Sequence, residues 1–145
     1  MKDLRKLVKD YDLCGAELLD RYSDAELGKI YNGAGPDSWI PLARDILTTF
    51  MRLFKPVVLV HDVQFFEADG TEASFDKTVE DWITNTRIIF DAEYPLMTWK
   101  MLKSSYRKER AYWYGVMKVS NIAIQTTAAK VAYMAAWQKR KGKEV

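Results

Sequence analysis

The chain has 145 residues, 48% of them apolar and 29% charged, with a formal net charge of +2; this suits one ordinary globular domain with its own core and excludes a charge-extended disordered chain. The single cysteine, Cys14, and the single histidine, His61, exclude an internal disulfide and a structural zinc site made from this chain alone. No stretch reaches the roughly 20 apolar residues of a membrane span, and the charged start Met1-Lys2-Asp3-Leu4-Arg5-Lys6 has no signal-peptide apolar segment after it, so a cytoplasmic location is expected.

Helical periodicity runs through most of the sequence and strand patterns are weak. Leu4, Leu7, Val8 and Tyr11 share one helical face, and Gly15 interrupts it. Ser23-Asp24-Ala25-Glu26 reads as a helix start with a capping box, and Asn32-Gly33 as its stop. Asn32 to Ser38 is the most turn-rich segment. A helix capped by Asp37 or Ser38 carries Trp39, Leu42, Ile46, Phe50 and Leu53, and Lys55-Pro56 breaks or kinks it. A second helix starts at Pro56 and contains His61-Asp62. Asp69-Gly70-Thr71 is the turn of an antiparallel helix hairpin. Ser74 is the expected cap of the next helix, which carries Phe75, Val79, Trp82, Ile83 and Phe90 on one side and ends at Tyr94-Pro95. Leu96, Trp99, Leu102, Tyr106, Tyr112 and Trp113 predict one amphipathic helix, with Gly115 or Ser120-Asn121 as candidate breaks, and Ile122 to Gln138 a further Ala-rich one. The expected fold is all-α, about six helices, with the His-Asp motif in the hairpin; residues 1–138 form one domain and 139–145 a disordered basic tail.

Charge is unevenly spread. Residues 96–145 hold 11 Lys and Arg against two acids, Glu109 and Glu144, leaving 11 bases and 18 acids for residues 1–95. A basic, aromatic half suits an anionic partner, although a solvated face has the same composition. Trp82, Trp99, Trp113 and Trp137 are expected in the core. Tyr112-Trp113-Tyr114 covers most of a helix's circumference, so at least one of these rings should be exposed or at an interface. Beside Arg107, Lys108 and Arg110 it could meet a membrane surface or a partner helix, and a homodimer contact is the simplest form. Nucleic acid is not an expected partner, because no helix-turn-helix signature can be placed.

His61-Asp62 sits in an apolar run, Val57 to Phe66, where a carboxylate needs partners or a metal. A histidine acting as general base needs its second nitrogen held, usually by a carboxylate. Neighbours on a helix point about 100° apart, so Asp62 is poorly placed to do this. A hairpin folded about residues 70–72 brings Asp81 to the level of His61. Asp62 is then left to bind a hard cation such as calcium, with backbone carbonyls from Asn32-Gly33-Ala34-Gly35 as further ligands. The competing reading of His61 is a core residue, and that of the glycine segment an ordinary helix connection.

His61-Asp62-Val63-Gln64-Phe65 resembles the His-Asp-x-x-Tyr signature of phospholipase A2-like proteins, with Phe65 in the tyrosine's place. Tyr31-Asn32-Gly33-Ala34-Gly35-Pro36 is similar to their calcium loop, and Asp81-Trp82-Ile83-Thr84-Asn85 to the helix that carries the orienting aspartate. The resemblance is to small, disulfide-free bacterial and prophage members, and covers residues 31–85. It implies a calcium-dependent hydrolase of phospholipid esters, or a degenerate relative: His61 the base that activates water, Asp81 its orienter, and Asp62 with the carbonyls of Tyr31, Gly33 and Gly35 the calcium ligands. The alternative is a non-enzymatic, phage-type interaction protein that uses its basic aromatic C-terminal half.

Overall fold

Val57, Val58, Leu59, Val60 and Val63 are all buried. Four consecutive apolar residues on a helix point in every direction, so such a helix is stable only when other elements surround it. The computed structural model describes residues 1–31 and 41–142, apart from the side chains of 41–47 and 139–140. Among these residues are six α-helices: α1 (Lys2–Asp10), α2 (Asp24–Ile30), α3 (Pro41–Phe66), α4 (Glu72–Glu93), α5 (Ser104–Ile124) and α6 (Thr127–Lys141). Two 3-10 segments, Ala16–Arg21 and Trp99–Leu102, lie between them, and no strand occurs among the described residues. The all-α expectation is met.

Helix α3 is the axis. Every other α-helix packs on it, as does the first 3-10 segment. It bends at Phe54 (φ −102°, ψ 20°), two residues before Pro56, because the proline removes a hydrogen bond and crowds the carbonyl one turn back. Helix α4 folds back antiparallel through the Asp69-Gly70 turn. Gly70 has a φ of +79°, and a Cβ there would lie 2.5 Å from the Trp137 ring, so the turn is glycine both for its backbone and for the indole of α6 above it. Gly15 (φ +84°) likewise brings the loop after α1 against Val60 of α3. Asn85 of α4 secures that loop: its Oδ1 accepts from the Cys14 N–H at 2.7 Å and its Nδ2 donates to the Cys14 carbonyl at 2.9 Å.

The capping box at Ser23 and Glu26 forms as expected. Elsewhere the helix boundaries differ. The cap of α4 is Thr71, whose hydroxyl accepts from the Ser74 N–H at 3.1 Å. Asp69 fixes Thr71 in place by accepting from its N–H at 2.8 Å. Residues 96–113 are not one helix: the chain bends after Pro95, makes the 3-10 segment, and starts α5 at Ser104. Neither Gly115 nor Ser120-Asn121 breaks α5, which runs to Ile124. Helix α6 continues to Lys141, so residues 139–141 are helical instead of part of a disordered tail.

Two apolar clusters make the core. The larger joins α1, α2, α3, α4 and α5; the smaller joins Ala68, Phe75 and Tyr133 with Phe65, Val79 and Trp137. A file of aromatic rings connects them. Phe54 stacks on Phe50 (centroids 4.6 Å apart) and Phe50 on Trp82 (5.0 Å). Trp82 meets His61 edge-on (4.8 Å), His61 meets Phe65 (4.1 Å), and Phe65 meets Tyr133 (5.1 Å).

Candidate functional site

His61 is therefore the link between the two clusters. Its Nδ1 is buried and has no hydrogen-bond partner among the described residues, and the same holds for the indole nitrogen of Trp82 against which it packs. Burial disfavours the imidazolium and pushes the His61 pKa down to about 3. The ring is a neutral aromatic surface at physiological pH.

The expected His61–Asp81 contact does not form. Asp81 is buried, 5% exposed. Its Oδ2 accepts from Gln64 Nε2 at 2.7 Å and its Oδ1 pairs with Lys77 Nζ. The hairpin does bring α4 alongside the motif, but the residue of α3 that meets Asp81 is Gln64, one turn beyond His61 on the same face. The level of His61 is taken by Trp82. Lys77 reaches Asp81 from the preceding turn of α4, and that hydrogen bond raises the Lys77 pKa against the opposing effect of burial. Asp81 is thus a structural carboxylate that ties α3 to α4.

Asp62 is half-buried. Its charge acts on Tyr31, whose phenol pKa is raised first by burial and then by Asp62. Tyr31 is the C-cap of α2, with extended backbone (φ −67°, ψ 100°), so the charge of Asp62 is felt at the residue that opens the glycine segment. Gly33 and Gly35 lie outside the described residues. Among the described residues no three His, Cys, Asp or Glu side chains gather in a metal-binding group. Of the expected calcium ligands only Asp62 and Tyr31 lie among the described residues, and calcium takes roughly six to eight oxygens.

The buried imidazole makes a prediction about acid. The unfolded chain takes up a proton on His61 near pH 6.5, whereas the folded chain does so only near pH 3. Stability is thus fully present above pH 6.5 and falls as the pH drops through this window, by roughly 3 kcal/mol between pH 6.5 and 4. Urea denaturation of the wild type and of His61→Phe at both pH values reads this as a difference of slopes, since the carboxylates titrate in both proteins.

The basic C-terminal surface differs in detail from the expected one. Arg107 donates to the carbonyls of Met101 (2.8 Å) and Leu102 (3.1 Å), and Arg110 to that of Tyr94 (2.9 Å) while lying over the Phe90 ring. These two arginines brace the chain between α4 and α5. Trp113 packs on the core through Phe54. Tyr114 packs on Phe90 at one edge but remains 41% exposed, Tyr112 is 55% exposed, and Lys108 is exposed.

The two most exposed large hydrophobic side chains among the described residues lie earlier: Met97 is 97% exposed and Leu102 84%, with Trp99 between them at 65%. Trp99 is therefore a surface residue, not the core residue expected, and Lys103 Nζ lies 4.6 Å above its ring. Apolar spacings of three residues (Leu96, Trp99, Leu102) had suggested the buried side of a helix. The same spacing also fits a 3-10 turn, and the absence of any acid from residue 94 to 108 was the available sign of a surface. No described helix is long and apolar enough to cross a membrane.

No protein-family model, curated protein or solved structure matches the chain. The resemblance to phospholipase A2-like proteins stands on the quoted motif residues alone.

Proposed function

We propose that the chain is a non-enzymatic interaction module that works through the apolar, basic surface around residues 94–112. The observation that carries this reading is the exposure of Met97, Trp99 and Leu102 within a segment that has four bases and no acid between residues 94 and 108. Isolated exposed apolar residues are ordinary, but a cluster of them on a braced turn marks a contact surface. Benzoylphenylalanine placed at position 97 in the native cells tests it. Light should give adducts from position 97 and none from position 76, an exposed site on α4; equal or absent yields at the two positions contradict the reading.

A second reading, the calcium-dependent phospholipid hydrolase, has one observation in its favour: the charge of Asp62 acts on Tyr31, where the glycine segment begins. In that reading Asp62 would hold calcium, which would supply charge for an oxyanion, and His61 would take a proton from water. Calcium-dependent release of fatty acid from mixed micelles, lost in His61→Gln, tests it.

A further inference from the structure

We infer that the turn at residues 95–103 is a docking tip for an anionic lipid surface, an inference that rests on the interaction-module reading and names its partner. Three observations point to lipid. The first is exposure. The 3-10 segment packs on α5, yet its last residue Leu102 and the nearby Met97 are almost wholly exposed. Apolar side chains presented to solvent among bases suit the headgroup boundary of a bilayer.

The second is the state of the backbone. Entering a poorly hydrated layer strands any carbonyl that depends on water. Here Tyr106 donates to the Pro95 carbonyl at 3.0 Å, Arg107 to those of Met101 and Leu102, and Arg110 to that of Tyr94. The carbonyls flanking the apolar side chains are already satisfied from α5. These carbonyls can lose water without losing their hydrogen bonds.

The third is charge. Lys100, Lys103 and Lys108 are exposed around the tip, and the nearest acids in sequence are Glu93 and Glu109. Tyr94 donates to Glu109 at 2.8 Å and Tyr11 donates to Glu93, so both carboxylates are engaged with phenols. Trp99 under the Lys103 ammonium has the amphipathic form of an interfacial anchor, with its ring toward acyl chains and the amine toward headgroups. Apolar insertion combined with several bases gives reversible binding that requires anionic lipid.

Sedimentation with vesicles tests this. The full chain should bind vesicles of phosphatidylcholine and phosphatidylglycerol (three to one), at least ten-fold more weakly those of phosphatidylcholine alone, and more weakly as salt rises. Met97→Ser/Leu102→Ser, whose side chains lie outside the core, should keep its circular dichroism and lose at least ten-fold in binding. Lys100→Ala and Lys103→Ala should each cost roughly five-fold. Failure to bind anionic vesicles overturns the inference. So does binding that Met97→Ser/Leu102→Ser leaves intact, since that would place the attraction on the basic C-terminal residues. Protein adducts from position 97 with no vesicle binding would overturn the lipid partner and leave the module reading standing; no adducts at all would overturn that reading itself.

Discussion

Asn85→Ala lowers stability by about 2–5 kcal/mol, although it removes no apolar contact of any size. The side chain is 1% exposed and makes two hydrogen bonds to one residue, with the N–H and the carbonyl of Cys14. Truncation leaves both backbone groups without partners beneath α4, and an unsatisfied buried group costs about 1–3 kcal/mol. The loop from Tyr11 to Gly15 has few other ties to α4, so the loss should be visible as a lower urea midpoint and as faster amide exchange in residues 12–16. Asn85→Asp keeps the shape and the acceptor but loses the donor and buries a charge, and it should be at least as destabilising. A midpoint unchanged in both variants would show that this amide clamp contributes nothing.

Trp82→Ala costs about 3–5 kcal/mol, the range for an aromatic side chain deleted from a packed core. Trp82 is 7% exposed, stacks on Phe50 and meets His61 edge-on, so its loss opens the ring file at its centre. Trp82→Phe should cost less than half as much. It keeps a ring for Phe50 and His61, and it gives up no hydrogen bond because the indole N–H has none among the described residues. Thermal denaturation of the two variants decides this. Similar losses in both would mean that the indole nitrogen has a role in the folded state beyond filling space.

The helices were legible because their apolar periods and stop signals agree locally: the capping box at Ser23, the kink at Pro56, and the hairpin turn at Asp69-Gly70. The errors arose where local chemistry offers two equivalent answers. Thr71 and Ser74 are both good N-caps; the Asp69 side chain, folded onto the Thr71 N–H, selects the first. At residues 96–102 a three-residue apolar spacing fits an α-helix or a 3-10 turn, and the three α5 side chains that hold the turn come from the following helix. The hairpin geometry placed Asp81 near His61 to within about one helical turn. That is close enough to propose a dyad and too coarse to tell His61 from Gln64 as the partner. Trp82, the next residue, then fills the space that a carboxylate would have needed.

The phospholipase A2 resemblance rests on residue identities, and the geometry around them follows a different logic. Phe65 stands where the signature has tyrosine, and its ring packs on His61 and Tyr133 in the core. His61, Phe65 and Trp82 form one apolar unit, while Asp81, Gln64 and Lys77 form a polar tie beside it. The rings of this region pack as part of the core, and the most exposed apolar side chains of the neighbouring turn are Met97, Leu102 and Trp99.

Because the chain has one histidine, the His61 Cε1–H resonance can be followed by NMR without assignment ambiguity. Titrated without calcium, it should hold the neutral imidazole shift down to about pH 4, with a midpoint near 3 if the fold survives that far. A midpoint at or above 6.5, lowered by Asp81→Asn, would contradict the account and restore His61 as a base held by a carboxylate.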